Sequence, residues 1–129
     1  MATWDDVSAL ALALPETVET TSYGNTAWVV RGKGFVWERP LSKKDRKDLG
    51  DAAPDGPILG ASVPDLGAKE ALLTDDPEVF FTTPHFEGYA AILVRLDRID
   101  VPDLEELVVE AWLCRAPKRL AKQYLDERP

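Results

Sequence analysis

Two short β-forming runs joined by Arg31-Gly32-Lys33-Gly34 constrain the fold of this sequence more than any other feature. Residues 26–30 and 34–37 are rich in β-branched and aromatic side chains, which favour strands. A link this short, with glycine in it, is typical of a β-hairpin, whose strands are antiparallel. The sequence therefore predicts an antiparallel strand pair with the cations Arg31 and Lys33 at its tip.

Helix signals alternate with further strand signals along the rest of the chain. Thr3 and Asp6 form a capping-box pattern ahead of an amphipathic helix that ends near Pro15. The strongest strand runs from Tyr89 to Leu96. The other predicted elements are a turn at 20–25, a short helix at 42–50, extended segments at 58–63 and 80–83, a helix after Asp65, a long helix carrying 104–112 and a last helix at 120–125. We expect an α+β fold, with a largely antiparallel sheet and helices packed on one face.

Length and composition limit the class of protein. A chain of 129 residues is the size of one domain, so we expect a single domain spanning residues 1–129. The only cysteine, Cys114, cannot form an intramolecular disulfide and does not suit a zinc knuckle. The first apolar stretch follows acidic residues, unlike a signal peptide, and no apolar run approaches the ~20 residues that cross a bilayer. We therefore expect a cytoplasmic protein, monomeric and without membrane association.

Charge is distributed unevenly along a chain whose net charge is −8. Residues 31–47 contain seven basic side chains and two acidic ones, whereas residues 65–110 contain twelve acidic side chains and three basic ones. A second basic cluster has no acid within it and consists of Arg115, Lys118, Arg119 and Lys122. The net charge argues against a protein that coats nucleic acid over its whole surface, but the basic poles leave a local polyanion site open.

Residues that could carry catalysis are sparse. His85 is the only histidine, and no serine lies in a nucleophile motif. Gly32 and Gly34 lack the third glycine of a dinucleotide site. Glu106 and Glu110 are one helical turn apart and could share a cation, although such acids usually face solvent. We predict a non-enzymatic protein without catalytic residues, cofactor or metal site.

The basic segment offers two interpretations. A hairpin with a cationic tip, followed by a lysine-rich helix, could track a phosphate backbone as a wing does. The same lysines could instead form a solvated edge that keeps the sheet from pairing with a neighbour. The residues predicted to contact DNA are Arg31, Lys33, Lys43, Lys44, Arg46 and Lys47.

A second candidate site is the turn from Thr82 to Tyr89. Its side chains Thr83, His85, Phe86 and Tyr89 could line a pocket for a small ligand or a protein partner. His85, between Pro84 and Phe86, could equally be a turn residue bonded to the backbone. A non-enzymatic binding module centred on this turn is therefore the alternative to DNA binding.

The sequence as a whole resembles one known family. Its most specific segment is Phe80-Phe81-Thr82-Thr83-Pro84-His85-Phe86-Glu87-Gly88-Tyr89, which continues into the apolar run 92–96. The segments Trp4–Val7, Leu12–Glu16, Ser22–Gly24, Ala111–Trp112 and Ala116–Leu120 belong to the same pattern. By these motifs the chain resembles the bacterial MmcQ/YjbR family over nearly its whole length.

The resemblance carries expectations about fold and function. It implies a CyaY-like α+β fold in which helices cover an antiparallel sheet. It also implies DNA binding, because the family fold is similar to a double-wing DNA-binding domain; this is an argument from fold and not from a site. The resemblance implies no catalytic residue and no cofactor.

Overall fold

The computed structural model describes residues 1–127 as a six-stranded sheet with helices on both sides. The strand order is β1-β2-β3-β4-β6-β5, and every neighbouring pair is antiparallel. The helices are α1 (Trp4–Leu12), α2 (Lys43–Leu49), α3 (Leu66–Asp75), α4 (Val101–Arg115) and α5 (Lys118–Glu127). The strands are β1 (Thr17–Ser22), β2 (Asn25–Val30), β3 (Lys33–Glu38), β4 (Ile58–Ser62), β5 (Phe80–Phe81) and β6 (Ala91–Arg95). The predicted α+β class is confirmed.

The predicted hairpin is the β2–β3 pair. Val30 faces Lys33 in the register, so Arg31 and Gly32 form a two-residue loop. Both loop residues have positive φ, 51° for Arg31 and 81° for Gly32, as a type I′ turn requires. Gly32 adopts this conformation without strain because it has no Cβ.

Strand β1 corrects the sequence prediction, which placed a turn at residues 20–25. Thr17–Ser22 is a strand at the edge of the sheet, and only Tyr23-Gly24 turns. Val18 is 58% exposed, and Glu19 and Thr20 are also exposed. An edge strand with so little burial lacks the alternating apolar pattern by which strands are recognised.

The sheet has a large apolar core on one face and a small one on the other. Helices α1, α3, α4 and α5 pack on the large core, as predicted, and contribute residues such as Val7, Leu72, Trp112 and Leu120. The small core consists of Ile58, Phe81 and Leu93, with Leu41, Leu49 and Phe86 packed against it. Because neighbours along a strand point to opposite faces, these residues lie on the other side of the sheet. Helix α2, which carries Leu49, is therefore the exception among the helices.

Side chains cap the starts of α1, α2 and α3, and the predicted capping box of Thr3 and Asp6 forms. The Thr3 hydroxyl accepts from the Asp6 N–H, while the Asp6 carboxylate accepts from the Thr3 N–H. Asp65 caps α3 by accepting from the Ala68 N–H at 2.7 Å. Each of these side chains satisfies a backbone donor that the first helical turn leaves unpaired. None of the helices within residues 1–127 combines the length and apolarity needed to span a bilayer.

Candidate functional site

Helix α2 presents four cations to solvent. Ser42 and Asp45 form a capping box, with a Ser42 N to Asp45 Oδ2 distance of 3.0 Å, and Gly50 ends the helix at a φ of 57°. Asp45 and Leu49 point towards the sheet, where Asp45 is 3% exposed and Leu49 packs on the small core. The exposed cations of this helix are Lys43, Lys44, Arg46 and Lys47.

Asp45 and Arg39 anchor this helix to the end of β3. Arg39 Nη2 donates to Asp45 Oδ2 at 3.0 Å, and the Asp45 side chain is 4% exposed. Burial alone would raise the pKa of Asp45, but hydrogen bonds from Ser42 and the charge of Arg39 outweigh burial and lower that pKa. The carboxylate therefore stays ionised and fixes the helix in place.

Replacing Asp45 by Asn tests this anchor. We expect a loss of about 1–3 kcal/mol in the free energy of unfolding at neutral pH, because half-buried Arg39 loses its counter-charge. Since the folded-state pKa lies below the usual 3.8, the wild-type advantage is full above that value and is lost as the pH falls through the folded-state pKa. Urea unfolding at neutral and acidic pH measures the difference. Exposed Asp48, changed to Asn on the same helix, is the control, and equal effects of the two changes would contradict the anchor.

The hairpin tip lies apart from α2. Arg31 pairs with Glu16 through both carboxylate oxygens, with an Nη2 to Oε2 distance of 3.1 Å. The hydrogen bond from Arg31 lowers the pKa of Glu16, so an ionised carboxylate lies beside Arg31. Lys33 is exposed at the start of β3, while α2 follows the end of that strand. At a rise of ~3.3 Å per residue, β3 separates the two by roughly 17 Å. Of the six predicted DNA contacts, four lie together.

The alternative site, the turn from Thr82 to Tyr89, contacts α2. Pro84–Phe86 forms a 3-10 turn in which His85 is exposed and its ring meets the Phe86 ring edge-on at 5.0 Å. Phe86 packs towards the small core, and the Arg39 guanidinium lies 5.2 Å from the centre of its ring. Tyr89 is 63% exposed. The structure thus brings His85 and Phe86 to the basic helix, while Thr83 is buried.

Lys69 in α3 was not singled out in the sequence. It is 5% exposed, and its ammonium donates to the Phe86 carbonyl at 2.6 Å and to the Tyr89 carbonyl at 3.0 Å. Burial lowers the pKa of Lys69, and the negative charge of Glu87 opposes that shift. The apolar residues of α3 are not concentrated on one side of the helix, so the sequence gives no local signal for the burial of Lys69.

A groove of about 410 Å³ runs between α3 and this turn. Thr83 is among the residues that line it, but this residue is 2% exposed, and its buried hydroxyl has no hydrogen-bond partner within residues 1–127. A buried hydroxyl without a partner is uncommon in proteins. The remaining lining residues are Leu66, Lys69, Glu70, Leu73, Thr82, Pro84, Glu87 and Gly88.

The other charged clusters lie elsewhere. Arg115, Lys118, Arg119 and Lys122 are exposed at the end of α4 and on α5, which pack on the large-core face, away from α2. Glu106 and Glu110 line a groove between α3 and α4. Across the part of the chain that the structure describes, no three His, Cys, Asp or Glu side chains come together as metal ligands. Cys114 is half-buried, and burial raises the pKa of its thiol, which disfavours the reactive thiolate.

Comparison with known proteins identifies the family. The model of the YjbR family matches residues 12–114. The chain belongs to the YjbR family. This confirms the resemblance seen in the sequence, and the basic helix, the hairpin and the Lys69 turn all fall within the matched YjbR region.

The chain is also similar to mycobacterial relatives and to one solved structure. The uncharacterized proteins Rv2570 of Mycobacterium tuberculosis and Mb2600 of Mycobacterium bovis are each 52% identical to the chain over 128 residues. Each alignment covers 97% of this chain and 97% of the relative. The crystal structure of Deinococcus radiodurans protein DR2400, with a DUF419 domain, aligns with a TM-score of 0.69 at 19% identity. That alignment covers 95% of this chain and 88% of the other, and at this identity it bears on the fold alone.

Proposed function

We propose that this YjbR protein binds DNA by contacting backbone phosphates with α2. The observation that carries the proposal is a group of four exposed cations, none of which has an ion-pair partner within residues 1–127, on one short, anchored helix. Lysine and arginine on a fixed helix are typical phosphate contacts. The proposed contacts are Lys43, Lys44, Arg46 and Lys47.

The geometry of α2 allows these side chains to act together. Successive residues of an α-helix are about 100° apart, so residues 43, 44, 46 and 47 spread over an arc of about 160°. Asp45 and Leu49 occupy the opposite side and face the sheet. The seven residues of α2 span only about 10 Å. One polyanion can therefore meet all four cations.

The charge distribution favours one approach. Residues 65–110 carry twelve of the 23 acidic side chains, and their long helix α4 packs on the large-core face, opposite α2. Helix α4 carries Asp103, Glu105, Glu106 and Glu110 on the face away from α2, so a polyanion that approaches α2 does not meet these four carboxylates. Arg31 lies outside the proposed contact because Glu16 already pairs with it, and Lys33 lies at the far end of β3.

A titration of labelled duplex DNA with matched charge variants tests the proposal. One variant changes Lys43, Lys44, Arg46 and Lys47 to Ala, and the control changes Arg115, Lys118, Arg119 and Lys122 to Ala. Each set removes four positive charges and takes the net charge from −8 to −12. If four phosphates are contacted, the α2 variant should lose at least about tenfold in affinity at low salt, and its slope of log K against log salt should become shallower by about 3–4.

The control separates a local site from a general charge effect. The second variant should bind within about twofold of wild type, apart from a small long-range effect at low salt. Circular dichroism and thermal unfolding of both variants check that the fold is retained. Equal affinities of the wild type and the α2 variant, or equal losses in the two variants, would reject the proposal. Absence of any binding by the wild type at low salt would reject it too.

A further inference from the structure

The sheet face that carries α2 also holds an aromatic groove, which is lined by Tyr23, Gly34, Trp37, Glu38 and Arg39 among others. We propose that this aromatic groove binds an unpaired base of a DNA strand whose phosphates contact α2. This binding mode rests on the proposed function, because α2 supplies its phosphate contacts, and it specifies single-stranded DNA as the substrate. The groove volume of about 420 Å³ lies within the usual range for ligand sites of about 300–1,000 Å³.

Trp37 gives the groove its aromatic surface. Its neighbours across the sheet are Ala27 on β2 and Gly60 on β4, and its indole lies against Gly60. Gly34 also lines the groove, and a Cβ added there would meet nothing within 4 Å among residues 1–127 beyond its two chain neighbours. These small residues leave open space beside the half-buried indole. A nucleic-acid base is flat and stacks on such a ring whatever its sequence.

Tyr23 adds a second aromatic ring to the groove. It lies in the turn between β1 and β2, and the start of β2 lies beside the end of β3 because the two strands are antiparallel. Tyr23 is fully exposed and has a φ of 51°, a conformation that is uncommon for a bulky residue. This side chain gains neither burial nor favourable turn geometry. Its ring is therefore available to stack on a base.

Glu38 suits a base and not a phosphate. Its Oε1 accepts from the Thr26 N–H at 2.6 Å, which holds the carboxylate at the groove. A carboxylate repels the phosphates of a nucleic acid but accepts hydrogen bonds from N–H groups. Each DNA base carries N–H groups on its Watson–Crick edge, and an unpaired base presents that edge together with its flat face. In a closed duplex both are occupied by neighbouring bases.

Arg39 joins the aromatic groove to α2. It lines the groove, and its guanidinium donates to Asp45 of α2 at 3.0 Å. Lys43, the first residue of α2, follows Arg39 by four positions, so the two lie at most about 14 Å apart. Folds that bind single strands contact roughly 4–16 nucleotides. One strand can therefore place a base in the groove and neighbouring phosphates on α2.

Titration of labelled oligo(dT) of about 12 nucleotides, beside a duplex of equal length at physiological salt, tests the groove. Gly34→Ile fills the open space and should weaken oligo(dT) binding at least about fivefold, the lower limit for losing one stacked base. Gly34 does not have a positive φ, and isoleucine favours strands, so the fold should be retained. Tyr23→Ala should weaken oligo(dT) binding to a similar extent. Both variants should bind the duplex within about twofold of wild type.

The controls separate this groove from the α2 surface. Tyr89→Ala removes an exposed tyrosine outside the groove and should leave oligo(dT) affinity within about twofold of wild type. Equal oligo(dT) affinities of the wild type, Gly34→Ile and Tyr23→Ala would overturn the groove while the proposed function stands. Equal losses for oligo(dT) and duplex in the two groove variants would overturn it as well. Full affinity for both nucleic acids after replacement of the four α2 cations would instead reject the proposed function.

Tryptophan fluorescence reports the stacking directly. Unlabelled oligo(dT) should quench part of the wild-type emission, because a stacked base quenches an indole. Trp37→Phe keeps a ring for the base and should bind oligo(dT) within about threefold of wild type, but its emission should not be quenched. The other tryptophans, Trp4, Trp28 and Trp112, pack in or against the large core. Quenching that persists in Trp37→Phe, or is absent from the wild type at saturation, would overturn the stacking on Trp37.

Discussion

Replacing Trp112 by Ala should lower the free energy of unfolding by about 3–5 kcal/mol, the range for removing a fully buried aromatic side chain. Trp112 is 0% exposed at the centre of the large core, and its ring lies 5.0 Å from the Tyr124 ring. Its indole N–H also donates to the Pro15 carbonyl at 3.2 Å, which ties α4 to the segment after α1. For a domain of this size the loss corresponds to a fall in Tm of about 10–20 °C.

The same truncation at Trp37 is the matched control. Trp37 is half-buried on the other face of the sheet, where its indole lies against Gly60 so closely that a Cβ at Gly60 would overlap it. Because part of this ring already meets solvent, Trp37→Ala should cost less than Trp112→Ala. Urea unfolding of both variants gives the comparison. Equal losses would show that stability does not reside chiefly in the large core.

Much of the fold was predictable because its signals are local. The capping boxes of Thr3 with Asp6 and of Ser42 with Asp45 join residues three positions apart, and both form in the structure. The β2–β3 hairpin depends on a two-residue loop with glycine. Strand β1 was missed because it has no alternating apolar pattern of its own. It is a strand because it pairs with β2.

The candidate sites depend more on contacts between distant residues. The cluster formed by the four cations of α2 could be predicted because these residues are neighbours in sequence. They lie on one short helix and are all exposed. The pairing of Arg31 with Glu16 joins residues fifteen positions apart, and no local pattern shows it. Burial of Lys69 likewise requires α3 to meet a turn 17–20 residues later. Such side chains acquire their roles only when the sheet brings the elements together.

The turn after β5 lies between the basic helix α2 and the groove against α3. On one side Phe86 packs under Arg39, which also holds Asp45 of the basic helix. On the other side Thr83 lines the groove against α3. Lys69 binds the backbone of the same turn. A change in the position of this turn would therefore affect both the position of the basic helix α2 and the shape of the groove.

Lys69→Met should lower the free energy of unfolding by about 2–4 kcal/mol, although methionine keeps most of the apolar stem. The change removes two charge-assisted hydrogen bonds. The Tyr89 carbonyl then loses the donor that Lys69 supplies. Methionine has no charge to bury, so the desolvation cost of the ammonium disappears and offsets part of the lost stability. Urea unfolding measures the total. Lys122→Met, an exposed change on α5, is the control and should stay within about 0.5 kcal/mol of wild type.

Hydrogen exchange shows where the stability of Lys69→Met is lost. The Phe86 N–H donates to the Thr83 carbonyl at 2.9 Å, and the Tyr89 N–H donates to the Phe86 carbonyl at 3.0 Å. If Lys69 holds the turn, these two amides should lose more protection than amides of the β2–β3 hairpin. A variant as stable as the wild type, with both amides equally protected, would mean that desolvation of the ammonium cancels its hydrogen bonds. In that case the turn would be held by its own backbone and by the packing of Phe86.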